Sequence, residues 1–167
     1  MDKDSVEQKP MGKEPPDSSG NLEDAGRQLQ GQSRGGKREW VARVLVALVF
    51  FINVQCALQF VLWPGAYTAA YQLEGASAEA VVRSIGICFL MWNATYPPVI
   101  VRPGKYRVLF GVVLCQQAIG LVGESLLYFS LGPELAVLAS SVMRFIVFDA
   151  AGLVALACAF FISRENV

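Results

Sequence analysis

Apolar residues dominate the chain from Trp40 onward, in four long runs separated by short polar stretches. The runs cover about residues 40–63, 79–101, 107–131 and 135–162. Each is long enough to cross the hydrocarbon core of a bilayer, which needs ~20 predominantly apolar residues in a helix. The pattern therefore predicts an all-α protein, with a four-helix transmembrane bundle over residues 39–164.

The stretches between the runs contain the residues that end helices. WPGAYTAAYQLEGAS follows the first run, RPGKYR joins the second to the third, and LGPEL joins the third to the fourth. Proline lacks a backbone N–H and glycine adopts turn conformations, so both stop helices here. Pro133 can also open the fourth helix. The last connection is so short that the third and fourth helices must form an antiparallel hairpin.

The N-terminal segment has a different composition from the apolar body. Fifteen of the 28 charged residues lie in the first 39 positions, and no aromatic residue precedes Trp40. Such a segment cannot bury enough apolar surface to offset the entropy lost on ordering. Residues 1–38 are therefore predicted to form a disordered cytoplasmic tail. The pattern of a cleavable signal peptide is absent from its first 30 residues.

Basic residues mark one side of the predicted membrane. They precede the first run, fill the second connection and follow the fourth run: Arg34, Lys37, Arg38, Arg102, Lys105, Arg107 and Arg164. The other two connections offer Glu74, Glu79 and Glu134 instead. Because basic residues concentrate on the cytoplasmic side, both termini are predicted to be cytoplasmic.

Two opposite charges, Arg144 and Asp149, lie in the middle of the fourth run. A rise of 1.5 Å per residue puts Glu124 ~13 Å and Arg144 ~17 Å from the turn of the hairpin. Their side chains lean toward each other, because each leans toward the N-terminus of its own helix. The same count puts Asp149 at ~25 Å, level with Gln116 and Gln117 at ~24 Å.

The first and second runs add further polar residues. The first contributes Asn53, Gln55 and Gln59, and one face of the second contains Arg83, Gly86, Leu90, Asn93 and Pro97. A lone ionised group at the centre of a bilayer costs at least ~2.5–3.5 kcal/mol, so these groups are predicted to face inward. The predicted polar core or ligand-binding site consists of Arg83, Asn93, Gln117, Glu124, Arg144 and Asp149.

Two interpretations of this polar cluster stay open. The charged and amide groups can act as structural pins between helices, with each hydrogen bond contributing ~0.6 kcal/mol net. Alternatively, they line a cavity that opens to the outer face and binds or relays a polar species, since intramembrane ionisable residues often mark such pathways.

Several kinds of chemistry lack their residues. The chain contains no histidine, which removes His-ligated haem, most zinc catalysis and His-based acid–base catalysis. Its four cysteines fall one per predicted helix with no C-x-x-C spacing, so neither a redox pair nor a compact metal site is indicated. We predict no enzymatic activity, no cofactor, no metal and no nucleic-acid partner.

The stretches CALQFVLWPGAYTAAYQL, FLMWN, QAIGLVGES and MRFIVFDAAGL resemble those of small bacterial four-span membrane proteins of uncharacterised function. The body, about residues 40–162, is similar to DoxX-like membrane proteins in length and number of spans. This resemblance implies a helical bundle in a bacterial inner membrane and carries over no catalytic residue.

Three functions are compatible with these features. The first is a non-enzymatic binding, accessory or permeation role for a small polar or amphipathic ligand. The second is a small proton-coupled exporter in which Glu124 holds the proton and a homo-oligomer supplies the pathway. Such exporters usually place their key carboxylate in the first span, which has none here. The third is an assembly role, in which the membrane body binds a membrane-protein partner and the tail recruits a cytoplasmic protein.

The predicted topology can be tested with reporter fusions in cells. Fusions after Lys37, near Gly75, after Lys105, near Gly132 and after Arg164 should report inside, outside, inside, outside and inside. A cytoplasmic signal near Gly75 would contradict the assignment of the first two spans.

Overall fold

The computed structural model describes the backbone of residues 18–164 and the side chains of residues 36–163. Its helices are α1 (Ser18–Leu62), α2 (Gly75–Asn93), α3 (Tyr96–Val101), α4 (Arg107–Ser130) and α5 (Ala136–Arg164). Short 3-10 turns at Pro64–Ala66, Thr68–Tyr71 and Pro133–Leu135 lie in the connections. No strand occurs within residues 18–164, which confirms the all-α class.

Four segments of the described chain are long and apolar enough to cross a membrane. They are Gly36–Leu62, Gly75–Val101, Arg107–Ser130 and Pro133–Ser163. Their ends agree with the predicted runs to within about one helical turn. The four-helix transmembrane bundle is therefore confirmed.

α1 begins before the first span, and its backbone is helical from Ser18. The disorder predicted for the N-terminal tail stays a prediction. The stretch LEDAGRQLQ is rich in Leu, Glu, Ala, Arg and Gln, which have high helix propensity even without an apolar face. The prediction for residues 1–17 lies outside the described residues. All four spans lie within the compact unit that begins at Gly35.

The apolar side chains of the bundle are distributed as a bilayer requires. Large apolar residues lie exposed on the outer surface of every span, for example Phe51, Ile87, Ile119 and Val154. In water, exposed apolar surface on this scale would mark an interaction site or an aggregation hazard. Facing lipid it is compatible with the surrounding medium, so the exposure supports membrane insertion.

A buried apolar cluster joins four helices near the end of the bundle that contains Arg102 and Lys105, here called the basic end. Small residues of α1 meet larger ones of α3, α4 and α5: Ala42, Val46, Val49, Tyr96, Val99, Phe110, Val113, Leu156 and Ala159. The α1 members recur at steps of three and four residues, the spacing of one helical face. This cluster holds the helices together on one side of the polar residues.

Gln72 joins the two connections at the opposite end, here called the hairpin end. It has a left-handed backbone conformation with φ 54°. Its side-chain Nε2 donates to the carbonyl oxygen of Glu134 at 3.1 Å, and its Oε1 accepts from the backbone N–H of Leu138 at 3.0 Å. A backbone N–H in the first turn of a helix has no partner within that helix. Gln72 therefore caps α5 and fastens the first connection to the hairpin.

The second span is a broken helix, which the sequence analysis treated as continuous. α2 ends at Asn93 and α3 begins at Tyr96, immediately before Pro97 and Pro98. Proline cannot donate the hydrogen bond that continues a helix, so consecutive prolines interrupt the ladder. The Thr95 hydroxyl donates to the carbonyl oxygen of Trp92 at 3.0 Å beside the break. The break lies within the membrane-spanning segment.

Gly86 brings α1 and α2 into close contact. A Cβ atom at this position would lie 2.8 Å from the Ala57 carbonyl oxygen and 2.9 Å from Phe60 Cβ. Distances below 3.0 Å require one of the atoms to move. The backbone of α1 cannot do so cheaply, because Ala57 and Phe60 are themselves buried.

We expect Gly86→Ala to destabilise the bundle by ~1–3 kcal/mol, the usual cost of overpacking a core. Gly111→Ala is the matched control, because nothing lies within 4 Å of a Cβ there. The control should be neutral or slightly stabilising, since alanine favours a helix over glycine by ~1 kcal/mol. Thermal unfolding in detergent would measure both. Equal melting temperatures for the two variants would contradict the close contact.

Candidate functional site

A cavity of about 230 Å³ lies between α1, α2, α4 and α5. Five of the six residues predicted for the polar core line it: Asn93, Gln117, Glu124, Arg144 and Asp149. The rest of the lining comprises Ile52, Asn53, Cys56, Phe89, Trp92, Gly120, Phe145 and Phe148. The cavity thus combines most of the predicted polar core with an aromatic wall.

Gln117 is the most fully buried polar member of the lining, with 2% of its surface exposed. Its Nε2 donates to Asp149 Oδ1 at 2.8 Å, and its Oε1 accepts from the Tyr96 hydroxyl at 3.2 Å. The depth count placed Gln117 and Asp149 at one level, and this hydrogen bond confirms it. The amide therefore connects three of the helices through one side chain.

Two glycines make room for this network. A Cβ at Gly120 would lie 2.6 Å from Asp149 Oδ2 and 3.2 Å from the Trp92 ring. A Cβ at Gly152 would lie 2.9 Å from Gln117 Nε2. The side chains of Asp149 and Gln117 occupy the space that larger residues would fill. The carboxylate and the amide can meet only because both positions lack a side chain.

Glu124 and Arg144 were predicted to converge at one depth. Both line the cavity, but no ion pair joins them in the described part of the chain. Arg144 is exposed, and its Nη2 donates to Ser141 Oγ at 3.1 Å. Ser141 lies one turn closer to the hairpin, the direction in which a side chain on α5 leans. The predicted level is thus approximately right, but the guanidinium binds its own helix and not the carboxylate.

Two acceptor atoms in the cavity lack partners. Glu124 Oε2 is buried without a hydrogen bond, and so is Asn93 Oδ1. Asn93 as a whole is 4% exposed, and its Nδ2 donates to the carbonyl oxygen of Phe89 at 2.8 Å. Because a carbonyl oxygen only accepts, this bond fixes the orientation of the amide and leaves Oδ1 free. Buried polar atoms without a partner are rare and call for an explanation.

Arg83 differs from its predicted place. It is exposed and does not line the cavity. The buried residues of α2 are Ala78, Val82, Gly86 and Asn93, and Arg83 follows Val82 by one residue. One residue is a rotation of ~100° on a helix, which carries the guanidinium off the inner face. Gln55 is likewise exposed, whereas Gln59 accepts a hydrogen bond from the Tyr67 hydroxyl at 2.8 Å.

The aromatic wall was missed by the sequence analysis. Phe89, Trp92, Phe145 and Phe148 line the cavity beside the polar residues. The rings of Phe89 and Phe145 lie 6.3 Å apart between centroids at 67°. The signal was present in the spacing, because Phe89 precedes Asn93 by one turn and Phe145 precedes Asp149 by one turn. Aromatic residues are common in apolar runs, so their spacing alone did not predict a cavity wall.

The first connection lies over the hairpin side of this wall. Phe60 packs against Phe145 at a centroid distance of 6.2 Å and against Tyr71 at 6.0 Å. Burial raises the pKa of the Tyr71 hydroxyl above its ordinary value, and electrostatic repulsion from Cys56 and Glu124 raises it further. Tyr71 thus packs against Phe60, whose ring contacts Phe145 of the aromatic wall.

Neither family models, curated proteins nor solved structures provide a match to this chain. Within the described residues, no group of three or more His, Cys, Asp or Glu side chains could hold a metal ion.

Gln117→Leu should destabilise the protein by ~1–3 kcal/mol, because it removes the donor to the partly buried Asp149 carboxylate and leaves that carboxylate underbonded. Gln116→Leu is the matched control. Gln116 Oε1 accepts from the Thr95 hydroxyl at 3.0 Å, and that hydroxyl also has the Trp92 carbonyl oxygen as a partner. Gln116→Leu should therefore destabilise the protein by less than Gln117→Leu. Unfolding midpoints in detergent would compare the two, and a larger loss for Gln116→Leu would contradict the central place of Gln117.

Proposed function

We propose that this multi-pass membrane protein has a non-enzymatic binding or permeation role, in which the cavity between its spans holds a small polar or amphipathic molecule. The observation that carries the proposal is the buried, unpartnered Oε2 atom of Glu124 in that cavity. A carboxylate in a low-dielectric interior is costly unless it is paired or hydrogen-bonded. A bound molecule or bound water would provide the missing partner.

The proposed site lies within a bacterial inner membrane with both termini in the cytoplasm. The basic end then faces the cytoplasm, because Arg102, Lys105 and Arg107 concentrate there. The hairpin end faces outward. Glu124 and Arg144 lie closer to the hairpin end, at ~13 Å and ~17 Å from its turn by residue count. Access from the outer face is therefore shorter than access from the cytoplasm.

The absence of a Glu124–Arg144 ion pair favours a cavity over a structural pin. A pin requires both charges to neutralise each other at contact distance, and removing either partner from such a pair is strongly destabilising. Here Arg144 donates to Ser141 and Glu124 Oε2 has no partner. A buried carboxylate oxygen that faces a void without a partner is expected of a binding site that is polar and roomy enough for water.

A second candidate function is proton-coupled export through the same cavity. It is favoured by the position of Glu124, which shares the cavity with a second carboxylate, Asp149. In this function Glu124 would exchange a proton for the transported molecule, and a homo-oligomer or another membrane protein would complete the pathway. Glu124→Gln would then retain binding and lose transport driven by a pH gradient.

Solvent access to the cavity tests the proposal directly. In a variant with its four cysteines replaced, Glu124→Cys should be labelled by a small charged methanethiosulfonate reagent added from outside. Val122→Cys is the matched control, because Val122 lies half a turn away and is exposed on the apolar outer surface. It should stay unlabelled, since a charged reagent does not enter lipid and a thiol there cannot ionise.

The contrary result has two parts. The first is that Glu124→Cys labels no faster than Val122→Cys in the intact protein. The second is that a double variant, Glu124→Leu with Arg144→Leu, is as stable as the native protein, as replacement of a closed pair by apolar residues can be. Together they would show that these groups are a structural pin.

A further inference from the structure

The unsatisfied groups of the cavity share one chemical character, because both are hydrogen-bond acceptors. Asn93 Oδ1 and Glu124 Oε2 are buried and have no donor. An asparagine oxygen and an ionised carboxylate oxygen can only accept. A ligand that satisfies both must therefore bring N–H or O–H groups, and a ligand made of acceptors would leave both unsatisfied.

The amide donors of the two most buried polar residues of the lining are already engaged. Gln117 Nε2 donates to Asp149, and Asn93 Nδ2 donates to its own helix. Arg144 donates to Ser141 through Nη2 and is exposed, so it is not one of the buried atoms of the lining that lack a partner. The buried atoms of the lining that lack a partner are therefore both acceptors.

The formal charge of the lining also favours a ligand that donates hydrogen bonds, in particular a cationic one. Two carboxylates, Glu124 and Asp149, face one guanidinium, Arg144. A cationic ligand would make this lining neutral, whereas an anion would add a third negative charge to a low-dielectric site. Charge-assisted hydrogen bonds to a carboxylate are roughly twice as strong as neutral ones, which favours an ammonium donor over a hydroxyl.

The aromatic wall suits a cation that carries an apolar body. The rings of Phe89, Trp92, Phe145 and Phe148 line the cavity. Aromatic faces attract cations and pack against apolar groups, and indole is the strongest of them. The volume, about 230 Å³, exceeds that of an engineered cavity of about 150 Å³ that binds benzene, so a single ring with a short amine chain fits.

The broken second span supports a ligand site at this place. Asn93 is the last residue of α2, directly before the interruption at Ala94 and Thr95. Interrupted helices at membrane depth are tolerated where they are buried in protein or line a cavity. Helix breaks of this kind provide binding groups in membrane transporters. The break thus presents an amide oxygen to the cavity in addition to the carboxylate of Glu124.

The geometry points to a small primary amine with an aromatic or alkyl body as the ligand class. Its protonated nitrogen would donate to Asn93 Oδ1 and Glu124 Oε2, and its body would pack on the aromatic wall. This inference deepens the proposed binding function and depends on it. A quaternary ammonium ion, which has no N–H group, should bind more weakly than a primary amine of the same size.

Three single-ring probes separate the ligand class from the binding function. Purified full-length protein in lipid nanodiscs would be titrated at neutral pH with benzylamine, benzyl alcohol and benzoate, and binding measured by calorimetry. Benzylamine should bind most tightly, benzyl alcohol more weakly, and benzoate weakest. A fourth probe, benzyltrimethylammonium, should bind more weakly than benzylamine because it offers no hydrogen-bond donor.

The acceptor residues provide the variants. Glu124→Gln should weaken benzylamine by ~10-fold or more, the effect expected for losing a charge-assisted hydrogen bond, and should leave benzyl alcohol nearly unchanged. Glu134→Gln is the matched control, because Glu134 is exposed in the hairpin connection. If Glu124→Gln does not fold, Asn93→Leu removes the other acceptor and should show the same selectivity for the amine.

The outcomes distinguish the two proposals. Tighter binding of benzoate or benzyl alcohol than of benzylamine would overturn the amine class while leaving the binding function in place. An equal loss for benzylamine and benzyl alcohol in Glu124→Gln would also overturn it. Failure of all probes to bind the native protein, together with a closed cavity in the thiol-labelling experiment, would overturn both.

Discussion

A bilayer provides no water to satisfy polar groups, and this constraint organises the whole bundle. Polar side chains that lie within the spans must find partners inside the protein, while the outer surface can be fully apolar. Gln117 illustrates the first requirement, since one amide serves Tyr96 and Asp149. Phe51 and Ile119, exposed on the outside, illustrate the second. The bundle differs from a soluble helical bundle in its surface, which is apolar instead of polar. The cores of both kinds of bundle are close-packed.

The candidate site is where this constraint is not completely met. Prolines 97 and 98 interrupt the second span, and Asn93, at the end of α2, keeps one acceptor unpaired. Glu124 keeps another on the facing helix. Each such group is destabilising by itself, so two of them around one void are unlike the satisfied network next to them. Functional sites commonly contain a few destabilising positions, because binding requires groups that folding alone does not favour.

Much of the fold follows from sequence patterns with a simple physical cause. Span length and position come from apolar runs, and the level of Gln117 with Asp149 comes from counting rise along a short hairpin. Features that depend on rotation about the helix axis were harder to predict. Arg83 was placed inward, but a shift of one residue takes it outside. The partner of Arg144 was also missed, because a hydroxyl one turn away competes with a carboxylate on another helix.

The cavity persists because the side chains that could fill it are held elsewhere. Gln117 is bonded to Asp149, Arg144 to Ser141, and the Asn93 amide nitrogen to its own helix. Rotation of any of these into the void would break an existing hydrogen bond, and such a bond is stronger in a low-dielectric interior than in water. Gly120 and Gly152 contribute by leaving room for the side chains of Asp149 and Gln117 beside the void. The hydrogen bonds of the network thus also keep these side chains out of the cavity.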